Sequence, residues 1–364
     1  MRQIIILLTL SFLQAGLLQA QEQRSGRSWS LFYHNGPIVE HNPDLGQLID
    51  KHTRGLMFQY NFQTSGAKDW EQRYNYPDYG VSLYYADLGN ELLGENWAVY
   101  GHYNFYFARR RLILTAATGI GYNTNPYDPR TNFRNIAFGS HLMSSTMLGL
   151  KYAKPRVLGR MGIEAGLQFV HFSNGRLRTP NTSANMLSLA VGFNFSAKDA
   201  RNFEKNKNVL PVRDRWRYNI ALLGGLNEIN VIGLDRKPFI GLQVFLDKRI
   251  SYKSSFLFGV DMVVSGAIRE FVKYRSVAFP EEGIKANDNN KQVGVFAGYE
   301  LRISQTAVFA HLGYMVYYPV PFEGRVYNRL GVKRYLDRQW YAMASVKAHA
   351  AKAEALEFGV GYKW

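Results

Sequence analysis

The chain has 364 residues, a formal net charge of +16, 15% aromatic side chains and no cysteine. Lacking cysteine, it has no disulfide framework, thiolate metal centre or cysteine-borne lipid anchor. The positive charge calls for an anionic partner or surface, with solvated loop charge as the plainer alternative.

Residues 1–20 read as an export signal. Arg2 gives the charged start, Ile4 to Leu18 the apolar core and Ala20 the small residue before the cut, although Leu18 breaks the small-x-small rule. No other stretch approaches the roughly 18 consecutive apolar residues of a membrane helix. After the polar lead-in Gln21 to Ser28, period-two alternation recurs in segments of about ten residues, as in outer-membrane strands. Leu56, Phe58, Tyr60 and Phe62 alternate with Met57, Gln59, Asn61 and Gln63; Trp97, Val99 and Tyr103 alternate with Tyr100, His102 and Asn104. A polar loop over 123–140 precedes Leu142 to Tyr152, Lys154-Pro155 reads as a tight turn, and Ala184 to Phe195 is the eighth segment.

Charges and a proline break the pattern over 197–214, the connector between a first half at 21–196 and a second at 215–364. Alternation resumes at Tyr218 and runs to a last strand, Leu356 to Trp364, whose aromatic end resembles a barrel-assembly signal. Short turns alternate with long connections such as 267–290, as periplasmic turns alternate with extracellular loops. The expected fold is all-β: a transmembrane antiparallel outer-membrane β-barrel of about 16 strands. One wide barrel is the first expectation. Two tandem eight-stranded barrels are the alternative, because Leu189 to Phe195 echoes Phe358 to Trp364. For such an exported chain the phosphates of lipopolysaccharide suit the charge better than nucleic acid does.

Between the seventh and eighth segments lies the stretch with chemistry in it. Val157, Met161, Ile163, Ala165, Leu167 and Phe169 share one face of a strand, and parity carries His171 and Ser173 onto that face. In a soluble protein the face would be core; in a membrane barrel it meets lipid. Glu164 takes the opposite parity and reads as a solvated lumen group. Serine attacks an ester only when a base removes its proton, and histidine is the usual base. Same-face neighbours on a strand are about 7 Å apart at Cα, within reach of a hydrogen bond. Asn185 has the same parity on the next strand and approaches from the side. Asn174, Gly175 and Asn181 are candidate oxyanion donors, and Arg176 and Arg178 candidate holders of a lipid phosphate. The other histidines show no metal-ligand spacing, so neither metal nor cofactor is called for.

His171-Phe172-Ser173-Asn174-Gly175, then Pro180-Asn181 and Asn185, resembles the motif of the outer-membrane lipid A 3-O-deacylases of the PagL type. The resemblance spans roughly 29–196. It implies an eight-stranded barrel in which Ser173 is the nucleophile, His171 the base and Asn181 an oxyanion donor, cleaving the acyl ester at position 3 of lipid A. The best-known members carry glutamate where Asn185 stands. An amide can orient an imidazole but cannot stabilise imidazolium by charge. The second half has no counterpart in the eight-stranded enzymes. A non-enzymatic pore or structural barrel with a vestigial His-Ser pair is the rival reading.

Overall fold

The computed structural model describes residues 26–40, 43–196, 202–205, 214–229, 231, 234–320, 322–350 and 352–364. The signal segment 1–20 and most of the connector 197–214 lie outside the described residues. The strands are β1 (Gly26–Gly36), β2 (Thr53–Gln63), β3 (Asp78–Asp87), β4 (Glu95–Phe107), β5 (Leu112–Asn123), β6 (Leu142–Leu158), β7 (Met161–Ser173) and β8 (Ala184–Ser196). The second series is β9 (Arg217–Asn227), β10 (Lys237–Arg249), β11 (Ser254–Ser265), β12 (Lys291–Ile303), β13 (Thr306–Tyr317), β14 (Val326–Tyr335), β15 (Trp340–His349) and β16 (Lys352–Lys363). Among the described residues the connections hold three α-helices: α1 (Pro43–Gly46), α2 (Asp69–Arg73) and α3 (Gly266–Ala278). No described helix is long and apolar enough to cross a membrane.

The strands close twice. β1 to β8 form one barrel and β9 to β16 another. This corrects the expectation of one wide barrel in favour of the tandem arrangement. Closure is visible in the register: β8 returns to β1 from Ser28↔Ser196 to Asn35↔Leu189, and β16 returns to β9 from Phe358↔Gly224 to Lys363↔Asn219. Each barrel satisfies its own backbone groups, which is the condition for strands to cross lipid. The two segments that echo one another in sequence are the closing strands.

Outward positions are apolar and exposed in both barrels, among them Leu56, Phe58, Leu83, Val99, Leu148, Leu187 and Leu189 in the first and Leu222, Val244, Phe258, Leu312, Leu330 and Val360 in the second. Aromatic pairs sit near the strand ends, for example Trp29 on Phe195 at 5.5 Å, Tyr85 on Trp97 at 4.7 Å and Tyr218 on Trp364 at 6.0 Å. Such girdles mark the two membrane interfaces.

Inward positions are packed, as expected for a barrel of eight strands. In the first barrel Phe32, Met57, Tyr84, Tyr100, Met147 and Phe172 belong to one buried cluster. Below it Lys151 pairs with Glu164 at 2.8 Å, and Asn194 donates to the same carboxylate at 2.7 Å. Glu164 is therefore ion-paired in the lumen rather than solvated. In the second barrel Arg329 lies between Asp261 at 2.8 Å and Glu357 at 2.6 Å, and Lys333 meets Glu300 at 2.6 Å. Bonded charges thus bridge both interiors, and the wide lumen on which the pore reading leaned is not formed.

One turn also moves. β6 continues through Pro155 to Leu158, with a register shift between Lys154 and Leu158, and the chain reverses at Gly159-Arg160. Proline has no N–H to give the ladder and is tolerated at such an irregularity, whereas Gly159 (φ +56°) adopts the left-handed turn conformation readily.

Candidate active site

The chain divides into two compact units, residues 1–173 with 182–207, and residues 174–181 with 208–364. The catalytic candidates on strands belong to the first. Antiparallel register sets His171 directly opposite Asn185 on β8 and Thr146 on β6, so the three share the outer face. His171 Nδ1 lies 2.7 Å from Asn185 Oδ1. A carboxamide oxygen only accepts, so the ring donates from Nδ1 and keeps Nε2 as its basic nitrogen.

Ser173 ends β7 and is 5% exposed. Its strand is pinned on both sides. Phe172 points inward and stacks on Tyr84 with ring centres 6.4 Å apart. Tyr100 donates to Ser145 Oγ at 2.7 Å, and Ser145 Oγ donates to the His171 carbonyl at 3.1 Å. Ser144 Oγ donates to the Ser173 carbonyl at 2.8 Å. Buried aromatic packing thus fixes a backbone whose alternate side chains, His171 and Ser173, have outward parity. Ser144 and Thr146 were missed in the sequence. The signal was there: they interrupt an outward row of β6 that otherwise reads Leu142, Leu148, Leu150, and they stand opposite Ser173 and His171.

The segment that follows groups with the second unit. Asn181 Oδ1 accepts the Asn174 N–H at 2.9 Å, and Asn174 Nδ2 donates to the Arg178 carbonyl at 2.6 Å. Gly175 has φ +60°, and a Cβ there would lie 3.1 Å from the Leu356 Cβ, so glycine is needed for conformation and close approach. Arg176 is 7% exposed, and its guanidinium donates to Glu323 Oε1 at 2.9 Å. The Glu228 N–H donates to the Arg176 carbonyl at 2.9 Å, while Thr179 Oγ1 donates to Glu228 Oε1 at 2.7 Å. Of the two arginines considered for phosphate, only Arg178 is exposed. Glu228 and Glu323 lie too far along the chain for sequence spacing to have found them. Among the described residues no group of three or more histidine, cysteine or acidic side chains is arranged to hold a metal.

Two closed antiparallel barrels with lipid-facing apolar walls define an outer-membrane β-barrel protein, with a histidine–amide pair on one outer wall. Residues 54–194 match the family model for lipid A 3-O-deacylase (PagL), and residues 216–364 match that for acyloxyacyl hydrolase, C-terminal domain (PagL_C). Each half of the chain therefore matches a model of the PagL type, in two parts. No curated protein matches it. Solved structures with similarity include an engineered mutant of the Rh. blastica porin (11% identity, covering 93% of this chain and 99% of that one, TM-score 0.20) and the Acinetobacter baumannii outer membrane protein Omp33 (8%, 94% and 100%, TM-score 0.19). At such scores the likeness carries no weight, and the fold rests on the strand pairing itself.

Proposed function

We propose that the protein is an outer-membrane serine esterase that removes the ester-linked acyl chain at position 3 of lipid A. The observation that carries this reading is the 2.7 Å contact between His171 Nδ1 and Asn185 Oδ1, which leaves Nε2 as a base on the same strand face as Ser173. Ser173 Oγ attacks the ester carbonyl and its proton passes to His171 Nε2. As the intermediate collapses, the sugar oxygen leaves with the proton held by His171. Water then hydrolyses the acyl-enzyme by the same base. Arg178 holds a lipid phosphate outside the reacting centre. Arg176, buried on Glu323, serves the segment 174–181 more than the substrate.

An outer-wall site suits the substrate. Lipid A presents its esters within the membrane, and a nucleophile with lipid-facing parity meets them without extracting the lipid. The signal segment would be removed on export. Purified protein in detergent, given lipid A, should release one free fatty acid per substrate. Arg178→Gln should raise KM with kcat nearly unchanged, the pattern of lost uniform binding. Release that continues undiminished in Ser173→Ala would refute the mechanism.

A further inference from the structure

A second cluster of cations, unused by the deacylase reading, lies at the turn end of the second barrel. A cavity of about 340 Å³ is lined there by Arg217, Arg249, Arg302, Arg338 and Lys363, with Asp214 and Tyr335 completing the wall. Arg217 begins β9, Arg249 ends β10, Arg302 stands one residue from the end of β12, and Lys363 ends β16. Arg338 occupies the short turn between β14 and β15. All five belong to the end with short connections, the periplasmic end in outer-membrane barrels.

The local charge is unbalanced. Asp214 is the one carboxylate in the described wall, and its Oδ1 accepts from Arg217 at 2.9 and 3.0 Å. Lys363 meets Asp247 at 3.0 Å. Arg249 donates to the carbonyls of Ser251 at 3.1 Å and Tyr252 at 2.7 Å. Arg302 donates to the Ser304 carbonyl at 3.1 Å and lies 3.9 Å over the Tyr335 ring. Carbonyls orient the Arg249 guanidinium without cancelling its charge. The remaining guanidinium, that of Arg338, sits on an exposed turn. Like charges gathered around one cavity repel unless an anion lies among them.

We propose that this periplasmic mouth binds a net-anionic phosphate group. Guanidinium forks match phosphate oxygens in pairs. Here they converge from separate strands and a turn, which suits a tetrahedral oxyanion better than a planar carboxylate. The same chemistry is offered by an anionic phospholipid head group of the inner leaflet and by free phosphate or pyrophosphate. This site does not depend on the esterase reading.

The test uses full-length protein in dodecyl maltoside micelles. Inorganic phosphate and pyrophosphate are titrated by calorimetry. Retained lipid is then read by native mass spectrometry after exchange into micelles doped with phosphatidylglycerol or phosphatidylcholine. Saturable binding of pyrophosphate, or retention of phosphatidylglycerol over phosphatidylcholine, is expected. Either should weaken at least tenfold in Arg302→Gln and in Arg338→Gln, the latter on an exposed turn where folding is least at risk. Pyrophosphate binding without lipid selectivity assigns the free ion; lipid selectivity alone assigns the head group. Neither form of binding, unchanged affinity in Arg338→Gln with Arg302→Gln, or citrate binding as tight as pyrophosphate would overturn the proposal.

Discussion

Asn185 is the residue whose chemistry is most open to test. Its carboxamide oxygen, 2.7 Å from His171 Nδ1, fixes the ring by a neutral hydrogen bond. Asn185→Ala should therefore lower kcat and leave KM nearly unchanged, because the orienting bond matters most as Ser173 loses its proton. Asn185→Glu puts a charge beside the imidazolium that forms at that moment. The gain should be roughly 10- to 100-fold in kcat, which corresponds to about 1–3 kcal/mol. Steady-state kinetics on lipid A check both, and equal rates in all three proteins would remove Asn185 from the mechanism. The parity of His171, Ser173 and Asn185 was legible in the sequence because a strand's side chains alternate without exception once its register is set. What Arg176 does was not legible. Sequence spacing gave it the same standing as Arg178, and only folding brings Glu323 to within 2.9 Å of it.

Among elements, the segment 174–181 is the one most dependent on distant partners. Its bonds to Glu228 and Glu323 join residues 49 and 147 positions apart. Glu323→Gln leaves a buried guanidinium without its carboxylate, a loss of at most about 3 kcal/mol because Glu323 is partly exposed. The expected result is faster amide exchange confined to 174–181. Unchanged exchange there would show that the ion pair does not order the segment. Strands were read well from alternation, but connections were not. Helix α3 falls in what looked like a plain loop, although Ser265 caps it by accepting from the Ile268 N–H at 3.3 Å and Ile268 and Val272 are buried at helical spacing. The Lys154-Pro155 turn was misplaced because proline usually punctuates a chain, whereas here a register shift absorbs it.

At the scale of the molecule, the strand total was readable and the closure was not. Counting alternating segments cannot say which strand returns to which, since that depends on pairing across more than a hundred residues. The echo between the segments at 189–195 and 358–364 was the one local trace of two closures. Each interior is then small enough to need filling, and the second is filled with ions. Arg329 is fully buried between Asp261 and Glu357. Arg329→Met should cost about 3–5 kcal/mol by stranding two carboxylates, read as a lower urea midpoint in the gel-shift assay of barrel folding. With both interiors bridged, the protein in a planar bilayer should show no porin-like conductance.

Deacylation of lipid A by an outer-wall serine and histidine is read by mass spectrometry of lipid A from cells expressing the wild-type protein beside cells expressing Ser173→Ala at equal outer-membrane levels. A lipid A species lighter by one ester-linked acyl chain at position 3 is expected in the wild type and should be absent in Ser173→Ala. Identical lipid A in the two strains, whether both intact or both trimmed, would contradict it.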